Sequence, residues 1–191
     1  MNRYPYATVE TPDGPFTVIA DADGAVLGSG WSADAVLLGA RAKLGAGQLA
    51  EHPEPGVEEL RAALHAVERY YAGEVQSVVT VPRAASVGTA FQQQVWNALT
   101  VIPPGAPLSY GVLAQTLGAP RAVRAVAAAC GRNPAALFAP CHRVVGKDGS
   151  LTGFAFGIDI KRSLLRRESE AALHPSGQRV AGVLNSSHGT P

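Results

Sequence analysis

Cysteine is almost missing from this 191-residue chain: only Cys130 and Cys141 occur, eleven positions apart, with no repeat of the spacing. That excludes a disulfide framework of the kind that staples small secreted folds. The five histidines (His52, His65, His142, His174 and His188) show no metal-ligand spacing with the two thiols, so no zinc or other metal is expected. No apolar run is long enough to span a bilayer, and there is no signal-peptide pattern. The expectation is a cytoplasmic protein without membrane partners, in a compartment that keeps thiols reduced. An excess of one charge is lacking too: Lys and Arg number 16, Asp and Glu 15, for a net charge of +1. Broad electrostatic coating of nucleic acid is therefore excluded, and any such surface must be local. No phosphate-cradling glycine loop is present; Gly149-Ser150 and Gly153 read as turns.

What is there suits a globular protein. Hydrophobic residues make up 47% of the chain, enough for a real core in one large domain or two small ones. Tyr6-Ala7-Thr8-Val9-Glu10-Thr11 and Phe16-Thr17-Val18-Ile19-Ala20 flank Pro12-Asp13-Gly14-Pro15, a hairpin signal. A third strand segment covers residues 25–31. Val57, Leu60, Leu64, Val67 and Tyr71 recur at helical spacing, predicting a helix over residues 56–71. From residue 86 the pattern turns helical. Thr89 is placed to cap a helix ended by Pro103-Pro104-Gly105, and Ser109 to cap a short one. Gly118-Ala119-Pro120 makes a turn before a second helix over residues 121–130, a helix-turn-helix pattern. Periodicity fades beyond Leu165, and the Gly-, Ser- and Pro-rich end reads as a mobile tail.

One stretch carries chemistry. Ala139-Pro140-Cys141-His142-Arg143-Val144-Val145 places a thiol directly beside an imidazole. A thiol attacks as its thiolate, and a nearby base is the usual means of making one. Pro140 would fix the turn that presents it. A lone cysteine in an alanine-rich chain is more often a small buried hydrophobe, which is the reading given to Cys130.

The wider setting decides for Cys141. Pro140-Cys141-His142-Arg143-Val144, with Ser109-Tyr110-Gly111, Arg124-Ala125-Val126, Asn133-Pro134 and Leu151-Thr152-Gly153, resembles the O6-alkylguanine-DNA alkyltransferases from Phe91 to about Glu168. The resemblance implies an α/β N-terminal domain over residues 1–85, a small antiparallel sheet plus helix of ribonuclease-H-like kind, serving as support. It implies a mainly α domain over 86–170 that binds DNA and transfers the alkyl group, with residues 171–191 a flexible tail. It further implies a monomer acting on duplex DNA that contains alkylated guanine, without a cofactor, once per molecule. The lesion nucleotide would be flipped out of the stack.

Residue roles follow by the same match. Cys141 would accept the alkyl group, His142 would take its proton and Glu168 would orient His142. Tyr110 would press on the flanking phosphate, and its hydroxyl could protonate the leaving guanine. Arg124 would fill the gap left by the flipped base, Arg121 would contact phosphate, and Ala125 would let the helix approach closely. Asn133 would brace the loop that also holds Pro140 and Arg143. Val144, Leu151, Phe154, Ala155 and Phe156 would line the base pocket.

The match departs in that pocket. Relatives typically carry tyrosine at Phe154, and many carry glycine at Phe156. Phe156 either fills space inside the protein or reshapes the pocket and its range of adducts. Two other functions remain open: an alkylated-base binder with weak or no transfer, and a cysteine hydrolase built on Cys141 and His142. The sequence leaves alkylated thymine, and general repair against resistance to one alkylating agent, undecided.

Overall fold

A computed structural model describes residues 3–52 and 57–173. The hairpin forms as its turn residues dictate. β1 (Tyr4–Thr11) pairs antiparallel with β2 (Gly14–Ala20), Val9 opposite Phe16 and Thr11 opposite Gly14. Gly14 takes a φ of +107°, a conformation open to glycine, and the Thr11 hydroxyl donates to its carbonyl. β3 (Val26–Gly30) adds on the other side of β2.

β2 is buried on both faces, and its alternation separates two cores. Phe16, Val18 and Ala20 face Leu60, Leu64 and Val67 of α2 (Glu58–Tyr71). Ile19 and Leu27 face Leu38 of α1 (Ala35–Arg41), a helix capped by the Asp34 carboxylate. The expected antiparallel sheet needs one correction, because β4 (Leu49–Glu51) lies parallel to β1 and the order is β3-β2-β1-β4. The α1 crossover returns the chain in the direction in which β3 left, and β3 runs with β1, so the sheet is mixed.

The second half is helical. Thr89 caps α3 (Ala90–Thr100), with Gln92 completing a capping box. Ser109 caps α4 (Tyr110–Thr116), Gly118 turns at φ +69°, and α5 (Val123–Gly131) follows. α3, α4 and α5 close on Val95, Trp96, Leu99, Leu113, Val126 and Ala129. β5 (Leu108–Ser109) pairs parallel with β6 (Val144–Val145), joining the start of α4 to the segment after the cysteine. α6 (Ile158–Leu173) runs three residues into the expected tail; residues 174–191 lie outside the described ones. No described helix is long and apolar enough to cross a membrane.

The two halves share a boundary of hydrogen bonds. Ser29 in β3 gives two hydrogen bonds to the loop before Cys141: its amide donates to Pro134 O at 2.8 Å and its hydroxyl to Ala136 O at 2.8 Å. That loop thus lies against the free edge of the sheet, and Leu137 and Phe138 enter the same core as Phe16.

Candidate active site

The loop from Asn133 to Pro140 is rigid for identifiable reasons. The buried Asn133 side chain donates to Ala139 O at 2.7 Å and accepts from Ala135 N at 3.1 Å, so it closes the loop from inside. Leu137 takes a φ of +74°, costly for a branched side chain, and is fully buried, which holds it there. Pro140 then leads into a tight turn, Cys141–Arg143. In so short a turn successive side chains diverge. Cys141 borders a pocket, whereas His142 and Arg143 enter the interior toward α6.

There they meet Glu168, which has no exposure to solvent. His142 Nε2 lies 2.8 Å from Glu168 Oε1. Arg143 donates from Nε to Oε2 at 2.9 Å and from Nη2 to Oε1 at 3.0 Å. Burial pushes the Glu168 carboxyl up, but His142 and Arg143 outweigh it and hold it at about 2. An ionised carboxylate can only accept, so the proton of His142 sits on Nε2. In the neutral ring Nδ1 is then the free lone pair. It is buried and has no hydrogen-bond partner, the Cys141 sulfur included.

Burial also raises the Cys141 thiol, against the lowering effect of the Asn133 side chain and of Lys161. Cys141 therefore rests as a thiol. Cys130, buried on α5, borders the same pocket and is pushed to about 12, first by burial and then by Cys141.

The pocket is narrow, a cavity of about 20 Å³, and is bounded by Tyr110, Cys130, Asn133, Cys141, Phe154, Ala155, Phe156 and Arg41. Tyr110 opens α4, half-buried, with its phenol raised by burial and by the two thiols. Val144 is buried beneath the turn, and Leu151 is half-buried at the start of the segment 151–157. Arg124 and Ala125 lie exposed in the first turn of α5. Arg121 does not share their helix as expected: it stands exposed in the preceding turn, because Ala122 N bonds back to Ala119 O and helical hydrogen bonding starts later. Among the described residues, no group of three or more His, Cys, Asp or Glu could hold a metal.

Three contributors escaped the sequence reading. Tyr70, buried in α2, donates to Glu168 Oε1 at 3.1 Å. Lys161, fully buried in α6, donates to Val144 O at 2.7 Å and Thr152 O at 3.1 Å, tying the turn to the segment over the pocket. Arg41 reaches from α1 to Gly131 O at 2.7 Å and Asn133 O at 3.0 Å. Lys161 and Glu168 did leave a signal, since they share a helical face with Leu164, and charged residues on a buried stripe need partners. For Arg41 no pattern points across the chain.

The chain is similar to known proteins. Residues 90–170 match the family model described as 6-O-methylguanine DNA methyltransferase, DNA binding domain. A methylated-DNA--protein-cysteine methyltransferase of Methanosarcina acetivorans is 40% identical over 166 residues, 85% of this chain and 97% of that protein. The crystal structure of the Mycobacterium tuberculosis O6-methylguanine methyltransferase superposes with a TM-score of 0.70 at 34% identity, covering 88% of this chain and 94% of that one. A structure of the mycobacterial protein in complex with DNA gives 0.69 at 35% identity, covering 87% and 94%. With a relative matched at this identity over nearly its whole length, the chain belongs to the methylated-DNA--protein-cysteine methyltransferase family.

Proposed function

We propose that this protein repairs DNA by moving a methyl or larger alkyl group from O6 of guanine to Cys141, irreversibly and once per molecule. The observation that carries the reading is the free Nδ1 of a buried His142 whose other nitrogen is committed to an ionised Glu168. This is a base with no structural task, next to a thiol that burial keeps protonated. No direct bond joins sulfur and Nδ1, so the proton passes through a bridging water. The thiolate pair then attacks the alkyl carbon in line; the bond from carbon to O6 breaks, and its electrons return to the guanine. In this reading the Tyr110 hydroxyl, at the pocket wall, protonates the departing base. The product thioether is stable, and nothing beside it can remove the alkyl group. No cofactor enters the reaction.

In this reading residues 86–170 form the DNA-binding and transfer unit, with α4 and α5 as a helix-turn-helix, and residues 1–85 a ribonuclease-H-like support. The protein acts as a monomer on duplex DNA in the reducing cytoplasm. Arg124, exposed in the first turn of α5, takes the place of the flipped base, while Ala125 leaves room for the backbone. Arg121 contacts phosphate from the turn.

Intact mass before and after incubation with a duplex holding one O6-methylguanine tests the proposal. One added methyl group, stopping at one equivalent and absent in Cys141→Ala, is expected. Tight binding without a mass change would make the protein a lesion binder instead, and turnover of an ester or amide would make it a hydrolase.

A further inference from the structure

Gly30 has no backbone reason to be glycine. It is the last residue of β3, paired with Thr17 of β2, and its φ is outside the left-handed region. A glycine in a strand weakens it and marks a place where something approaches closely. Here the visitor is Phe156. A Cβ on Gly30 would fall 2.1 Å from Phe156 Cζ and 2.5 Å from its Cε1, inside the ring's own volume. The ring is held from the sides as well. Trp31 meets it edge-on at 5.7 Å between centroids, Phe154 does the same at 5.7 Å, and the Arg41 guanidinium lies 5.8 Å from its centroid. Trp31 is fixed in turn by donating from Nε1 to the Tyr71 hydroxyl at 3.0 Å.

Phe156 therefore does both things left open by the sequence: it packs into the protein, and it borders the pocket that contains Cys141. Phe154 apart, its seat belongs to the first half of the chain. Apart from the Lys161 bond to Thr152 O, the segment 151–157 has little else to hold it, since among its residues only Leu151, Phe154 and Phe156 are even half-buried.

Resting on the alkyl-transfer reading of the site, we infer that the N-terminal sheet sets the width of the alkyl pocket, with Gly30 as the positioning residue that receives Phe156. The support half thus takes part in choosing the adduct, through a residue that touches neither DNA nor the reacting atoms. An empty or blocked seat would let the segment shift outward, favouring bulky adducts over methyl.

The test is a four-protein cycle of the unsubstituted chain, Gly30→Ala, Phe156→Ala and the double variant. Transfer from an O6-methylguanine duplex and from free O6-benzylguanine is followed by intact mass, with thermal unfolding alongside. Each single variant should raise the ratio of benzyl to methyl rates by about fivefold or more. The double variant should match Phe156→Ala within about twofold, because the new methyl group occupies space the ring has left. If Gly30→Ala is too unstable to assay, its rescue by Phe156→Ala supports the same contact. Equal effects of Gly30→Ala in both backgrounds, or an unchanged ratio in either single variant, would overturn the inference. Failure of the unsubstituted protein to take up any alkyl group would instead count against the site itself.

Discussion

Glu168 joins the two functions of the buried cluster, because the residue that orients His142 is also the counterion of Arg143. Removing its charge should cost twice. Glu168→Gln keeps the shape and one acceptor oxygen but leaves the Arg143 guanidinium without a counterion, beside the Ile102 and Val75 carbonyls, and breaking a buried pair typically costs about 3–5 kcal/mol. The same carboxylate makes the fold acid-sensitive. It titrates at about 2 in the folded chain against 4.5 when unfolded. A depressed pKa gives stability that is complete above the unfolded value and is lost as pH falls toward the folded one. That contribution is on the order of 3 kcal/mol, disappearing between about pH 5 and 2. Urea unfolding followed by circular dichroism should show Glu168→Gln weaker at pH 7 and flatter with pH across that window; an unchanged acid limb would assign it to other carboxylates. At this scale Cys141 and His142 were legible because adjacent residues of such chemistry are rare. Tyr70 was not, since a tyrosine on an apolar helical face reads as core, and only its partner, 98 residues away, makes it a donor.

Elements were legible where a cap or turn residue announced them and periodicity ran long enough to count. Thr89 and Ser109 cap α3 and α4 as expected. α1 went unread for a physical reason: two of its seven residues, Val36 and Leu37, are apolar yet 50% and 57% exposed, which blurs the amphipathic stripe. β4, β5 and β6 run two or three residues, too short for any alternation. α6 is the element with the most to do. Its Lys161, Leu164 and Glu168 face inward on successive turns, one fastening the pocket segment, one packing in the core and one bonding His142 and Arg143. Lys161→Met would keep the stem's bulk but leave Val144 O and Thr152 O without their donor. Stranding a buried carbonyl costs about 1–3 kcal/mol, and more where the lost donor was charged. The expected result is a loss of that size in urea unfolding, with faster protease cleavage within residues 146–157. Unchanged cleavage would mean that Phe156 alone secures the segment.

At the scale of the whole molecule, a division near residue 85 describes the chain order better than the energetics. One core cluster takes Phe16, Val18, Trp31, Leu60 and Val67 from the first half and Leu137, Phe138 and Leu164 from the second. The loop that presents Cys141 hangs on the β3 edge through Ser29, 107 residues from Ala136. Arg143 spends a donor on Val75, and Glu168 takes one from Tyr70. Contacts of such separation leave no local pattern, so the sequence carried no sign of a shared interior to set against the support unit that the resemblance implied. The whole chain should accordingly unfold in one transition, with loss of helix and burial of the tryptophans changing together. A fragment of residues 86–173 would expose Leu137, Phe138 and Leu164 and leave the Arg143–Glu168 pair open to water. Removing that burial forfeits roughly 1.5–3 kcal/mol for each large side chain, a large part of the stability of a domain this size. The fragment is expected to bind a hydrophobic dye, to lack a cooperative melt and to take up no methyl group from a lesion duplex. Addition of residues 1–85 in trans should restore some transfer, because the missing contacts are noncovalent. A fragment that melts cooperatively and accepts one methyl group on its own would show that the second half carries its own core, and that the sheet only leans on it.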